Sequence, residues 1–118
     1  MLNFSVFKNE PNIHSYQASQ EIFSEGQASN GLMYAVLEGE VDIVRHERIL
    51  ESIQAGGVFG EMALLDQQPR SASAVAKVDS RVVEIAEKRF TLLVSQNPYF
   101  ALDMMRLLAK RVRANLTS

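Results

Sequence analysis

Apolar positions change their period once along the 118-residue chain, near residue 87. Before that point the apolar runs are short and separated by turn residues. Leu32 to Leu37 (LMYAVL) is continuous, the pattern of a strand buried on both faces. Val41 to Val44 begins by alternating, and Ile49 to Ile53 alternates as well, which suits a strand with one wet face. Ala74 to Val78 and Val82 to Ile85 make a last pair around Asp79-Ser80. Ser24-Glu25-Gly26, Glu38-Gly39-Glu40 and Gly56-Gly57 punctuate these runs as turns. Short strands at a spacing of roughly 8–12 residues predict an antiparallel sandwich or barrel.

After residue 87 the period becomes helical. Glu87 to Ser95 (EKRFTLLVS) is one helix, and Asn97 before Pro98 is the cap-then-proline start of another. Ala101, Met104, Met105, Leu108 and Val112 fall on one apolar face of the second helix, with Met104 and Met105 read as core. Arg106, Lys110 and Arg113 fall on another face, read as solvated. Residues 1 to about 19 are weakly patterned. Pro11 breaks any long helix there, and Phe4, Val6 and Phe7 are expected to pack a short helical segment onto the rest. The expected fold is mostly β, in one domain over residues 1–118. An antiparallel jelly-roll-like β-barrel occupies about 20–86 and two C-terminal helices occupy about 87–116.

Composition narrows the class. The chain is 47% hydrophobic and 22% charged with a formal net charge of −2, so no global basic balance argues for a nucleic-acid binder. With no cysteine, disulfide frameworks, thiolate catalysis and cysteine zinc sites are excluded. Asn3, Lys8 and Glu10 interrupt the N-terminus too early for a signal peptide, and no apolar run approaches the roughly 18 residues that span a bilayer. A cytoplasmic domain is the expectation.

One stretch carries chemistry: FGEMALLDQQPRSASAV, from Phe59 to Val75. Gly60 and Glu61 open it at a turn, and Glu61 to Leu65 are good helix formers, so a short helix starts there with unpartnered N–H groups. Nine positions after Glu61 comes Arg70, with Pro69 fixing the backbone before it. A guanidinium returning toward that helix start makes a forked contact to a phosphate. Ser71, Ala72, Ser73 and Ala74 are small and leave volume for a ligand, with the Ser71 hydroxyl beside the guanidinium. A carboxylate at Glu61 repels a phosphate but suits a hydroxyl next to one. A ribose with one cyclic phosphate and a free 2′-hydroxyl has that pattern.

The stretch resembles the phosphate-binding cassette of cyclic-nucleotide-binding domains, whose pattern runs F-G-E-[LIM]-A-L, a spacer, then [PE]-R-[STA]-A. Those domains occur in catabolite-activator-type regulators, kinase regulatory subunits and nucleotide-gated channels. Ile22-Phe23 with Gly26, Met33-Tyr34 through Gly39 and Val41, and Gly56 extend the resemblance to about residues 20–115. It implies that Glu61 binds the ribose 2′-hydroxyl and Arg70 the cyclic phosphate. Backbone near Gly60, Met62 and Ala63, with Ser71, completes the phosphate contacts. It also implies that the last helix closes over the base, with Val112, Asn115 and Leu116 as the candidates to meet it. The ligand is cAMP or cGMP, with cAMP favoured; no metal or catalytic residue is implied. A homodimer or an attached or partner effector protein is the expected output, and nucleic acid is not bound by this chain alone.

Two other readings compete. A bare Glu61–Arg70 loop salt bridge contributes under about 1 kcal/mol and gives no reason for the small residues around it. A cupin-type enzyme needs clustered histidines with a carboxylate, and only His14 and His46 are present. A cyclic-nucleotide-like fold that has lost its ligand and serves only as an interaction module is the remaining alternative, against which the Glu61 and Arg70 pair stands.

Overall fold

The computed structural model describes residues 5–115, and Phe4 and Leu116 lie outside them. A one-turn 3₁₀ helix at Ser5–Phe7 leads into eight strands. They are β1 (Ile13–Tyr16), β2 (Glu21–Phe23), β3 (Leu32–Glu38), β4 (Glu40–Arg45), β5 (Arg48–Gln54), β6 (Val58–Phe59), β7 (Ser73–Ala76) and β8 (Ser80–Ala86). Two helices follow, α1 (Glu87–Gln96) and α2 (Pro98–Arg113). The strands form two antiparallel four-stranded sheets, in the order β1-β8-β3-β6 and β2-β7-β4-β5. That interleaving is the jelly-roll order. The sheets face each other rather than closing into the expected barrel.

The apolar run of β3 is explained by what lies on its two faces. Tyr34 and Val36 point between the sheets, where they meet Phe23, Val41, Ile43, Ile53, Phe59 and Val82. Met33 and Ala35 point the other way, into a second core with Val83, Ile85, Leu93, Phe100 and Met104 under the helices. Period-2 geometry serves two cores from one strand. The short N-terminal turn closes the second core. Phe7 is buried, its ring edge-on to Phe100 at 5.3 Å between centroids. Buried Glu10 takes a two-point grip from Arg89 of α1 at 2.6 and 2.7 Å.

Three local expectations need correcting. Strand β1 lies within the weakly patterned N-terminal stretch; its residues are mostly exposed, so no alternation marked them. Asn97 and Pro98 start α2 as expected, but the Asn97 side-chain amide donates to the Leu93 carbonyl at 3.2 Å and makes no capping bond to α2. The buried stripe of α2 is Phe100, Met104 and Arg111, with Leu107 partly buried between them, whereas Met105 and Val112 are exposed. Ala101 and Leu108 are partly buried, so the buried stripe overlaps the expected face and is turned toward Phe100, Leu107 and Arg111.

Candidate functional site

The Phe59–Val75 stretch crosses from the end of β6 to the start of β7. Gly60 takes φ +72°, in the left-handed region that glycine adopts without penalty. The chain then makes a single 3₁₀ turn over Glu61–Leu64. The Ala63 N–H donates to the Gly60 carbonyl at 3.2 Å, so that amide is engaged within the turn. A Cβ on Gly60 would stand 3.0 Å from Arg70 Nη1 and 3.3 Å from the Phe23 ring. Gly60→Ala is expected to lower stability by about 1–2 kcal/mol from the left-handed backbone alone. It should also push the guanidinium out of place. A urea-unfolding midpoint indistinguishable from wild type would contradict this reading of the turn.

Arg70 lies deep, at 5% exposure. Nη1 donates to the Gly60 carbonyl at 3.2 Å, and Nη2 donates to Asn30 Oδ1 and the Leu32 carbonyl, each at 2.8 Å. The guanidinium lies 4.0 Å from the centroid of the Phe23 ring. Three of its five N–H groups are thus spent on fixing its position, which leaves Nε–H and one Nη1 hydrogen. Burial pushes its pKa down from the ordinary value, and Tyr34 and Glu61 oppose that shift. Backbone bonds lock the same residue: Arg70 N donates to Gln27 O at 2.8 Å, and Gly26 N donates to Arg70 O at 2.7 Å. Next to it, Arg45 at the end of β4 donates from Nε to the Ser71 carbonyl at 3.0 Å and from Nη2 to Ser71 Oγ at 3.4 Å. A cavity of about 150 Å³ opens here, lined by Ser29, Met62, Ala63, Pro69, Arg70 and Ser71 among others.

Glu61 stands on the side of the turn that meets α2, at 2% exposure. Its Oε1 accepts from Arg111 Nη1. Its Oε2 is buried and makes no hydrogen bond within the protein. Arg111 is itself 4% exposed and donates also to Glu51 of β5 and to the Val58 carbonyl of β6. Glu61 therefore pairs with Arg111 and not with Arg70. The two sides of the site are joined through Gly60, whose carbonyl holds Arg70 and whose next residue is Glu61.

The structure thus brings together Gly60, Glu61, Met62, Ala63, Arg70 and Ser71. It does not bring Val112 or Asn115 to them: Val112 is 63% exposed, and Asn115 is exposed with φ +58° just beyond the helix. Arg111 is the α2 residue at the cassette. An arginine in a helix reads as solvent-facing, which hid it. Phe100, Met104 and Leu107, spaced i, i+4 and i+7, mark an apolar stripe that reaches position 111 but give no reason for an arginine there. Arg106, Lys110 and Arg113 are exposed, as expected. His14 and His46 lie apart, against Glu84 at 3.1 Å and Glu25 at 3.4 Å. No cluster among the described residues has the makings of a metal site. No helix among them is long and apolar enough to cross a membrane.

The family model described as "Cyclic nucleotide-binding domain" matches residues 13–97. The chain belongs to the cyclic-nucleotide-binding domain family. The match covers every strand, the cassette and α1. Among curated relatives, the "Cyclic AMP receptor protein" of Thermus thermophilus is 36% identical over 103 residues, which is 83% of this chain and 47% of that protein. The "cAMP-dependent protein kinase regulatory subunit" of Aspergillus niger is 37% identical over 81 residues, 67% of this chain and 20% of that protein. The chain spans about half the length of these relatives or less. Among solved structures, one described as "A cyclic-GMP-dependent signalling pathway regulates bacterial phytopathogenesis" superposes with a TM-score of 0.79 at 29% identity. It covers 92% of this chain and 90% of that one. Within the family, this domain has its cassette arginine and glutamate in separate buried hydrogen-bond networks.

Proposed function

We propose that this domain is a regulatory receptor for a 3′,5′-cyclic purine nucleotide and performs no chemistry on it. The observation that carries the reading is Glu61. One of its oxygens is held by Arg111 and the other is buried without a partner, an arrangement that is costly unless a donor arrives. A ribose 2′-hydroxyl is such a donor. On the other side of Gly60, Arg70 borders the cavity with Ser71, and its buried guanidinium gives a cyclic phosphate a fixed counter-charge. Met62 and Ala63 line the same cavity. The preference for cAMP over cGMP rests on the names of the curated relatives, which specify cAMP. The absence of a spanning helix among the described residues and the regulatory character of those relatives support a cytoplasmic signalling role, with a partner or attached effector as the output.

The helix α2 supplies the route to that output. Arg111 touches Glu61 directly, so a ligand hydroxyl on Glu61 adds contacts to an arrangement in which α2 is docked, and shifts the helix toward that arrangement by this differential alone. The reading replaces Val112 and Asn115 with Arg111 as the α2 contribution.

The test is a double cycle. Glu61→Ala is expected to weaken binding by about 1.5–3 kcal/mol, the range for hydrogen bonds to charged groups. Removing the 2′-hydroxyl from the nucleotide should cost wild type a similar amount and the variant little more. Fully additive losses in calorimetric titrations would show that carboxylate and hydroxyl do not meet.

A further inference from the structure

Arg111 is held by more than Glu61, and the way it is held decides which part of its guanidinium the cassette meets. Nε donates to Glu51 Oε1 at 3.1 Å and Nη2 to Glu51 Oε2 at 3.4 Å, a two-point grip along one edge. Nη2 also donates to the Val58 carbonyl at 2.6 Å. Only Nη1 reaches Glu61, and it meets a single oxygen, Oε1. An arginine with its Nη1–Nη2 end free forms a forked pair with both oxygens of a carboxylate. Here Nη2 is committed to Glu51 and Val58, so the fork on Glu61 does not form and Oε2 is left over. Rigid elements enforce this. Glu51 sits on β5 opposite Ile43 of β4, and Val58 begins β6 with its side chain buried in the core.

We propose that Glu51 is a positioning residue for the nucleotide site. By gripping the Nε–Nη2 edge of Arg111, it restricts Glu61 to a single-point ion pair and leaves the second, buried Glu61 oxygen without a protein donor, so that the ligand hydroxyl can supply one. The proposal rests on the reading of Glu61 as the hydroxyl acceptor. Without Glu51, Arg111 swings its free fork onto both Glu61 oxygens and competes with the ligand for them.

The experiment titrates wild type and Glu51→Gln with whichever of cAMP and cGMP binds tighter, and with its 2′-deoxy counterpart, alongside thermal melts of both proteins. Wild type is expected to prefer the hydroxyl-bearing ligand by about tenfold to a hundredfold. Glu51→Gln should shrink that preference to about threefold or less, with affinity for the 2′-deoxy ligand unchanged. A merely structural role would lower both affinities together, and that result overturns the proposal, as does a preference that survives intact in the variant. A wild-type chain that binds both ligands equally overturns the reading of Glu61, and this proposal with it. Should Glu51→Gln fail to fold, Glu51→Asp keeps the charge but is too short for the two-point grip. It should show the same selective loss, smaller in size, and an unchanged preference there overturns the proposal.

Discussion

Arg70→Ala should be the most damaging single change to binding, and it should also weaken the fold. Truncating one partner of a buried, hydrogen-bonded charge pair costs about 2–5 kcal/mol in affinity, which is about thirtyfold or more. The side chain is 5% exposed, lies over Phe23 and bonds two backbone carbonyls besides Asn30. Removing it takes the Arg70 bond from the Leu32 carbonyl, at about 1–3 kcal/mol, and one of two donors from the Gly60 carbonyl, which keeps the Ala63 N–H, so the melting temperature is expected to fall by about 5–10 °C. Arg70→Lys should recover part of both losses, because an ammonium reaches fewer of these acceptors and has no fork. Calorimetry on the folded variants separates the effects. An Arg70→Ala protein that binds within about threefold of wild type would remove Arg70 as the phosphate ligand.

Arg111→Ala is the second large effect, and here stability carries most of it. Glu61 would keep its burial and lose its cation, the circumstance in which breaking a buried ion pair costs about 3–5 kcal/mol. The last turns of α2 would also lose their anchor, since Val112, Arg113 and Ala114 are exposed and Arg111 alone among them is buried. Amide exchange from about residue 107 onward should accelerate well before the rest of the domain, as expected of a segment at the low end of the stability range. The double variant Glu61→Gln with Arg111→Met should recover much of the lost stability, because it removes both charges and keeps the volume. If Arg111→Ala melts within about 2 °C of wild type, the buried pair is not what docks α2.

The cassette was legible because its chemistry is local. A glycine at a turn, a carboxylate, a proline-fixed arginine and a run of small residues lie within one loop, and their order alone carries the resemblance to the family. The strands were legible wherever one face met a core, as in β3 and β4, and illegible in β1, whose exposed Ile13–Tyr16 carries no alternation. The rest depended on contacts across long sequence separations. Asn30 reaches Arg70 over forty positions, and Glu51 reaches Arg111 over sixty. Nothing in a helix-face count rewards placing an arginine inward. Two carboxylates and a carbonyl waiting on other elements make that orientation favourable, and they rotate α2 away from the face that Val112 and Met105 suggest. Val112 and Asn115, expected to meet the base, stand exposed for the same reason.

The most direct test of the central claim is the thermal stability of the purified wild-type domain with cAMP and, separately, cGMP. A ligand that binds only the folded state adds about 2.7 kcal/mol at a hundred times its Kd, so the melting temperature must rise with concentration. The expected result is a dose-dependent rise with at least one of the two nucleotides, larger for cAMP, and markedly smaller for its 2′-deoxy analogue. An unmoved melting temperature with both nucleotides at millimolar concentration would contradict the account.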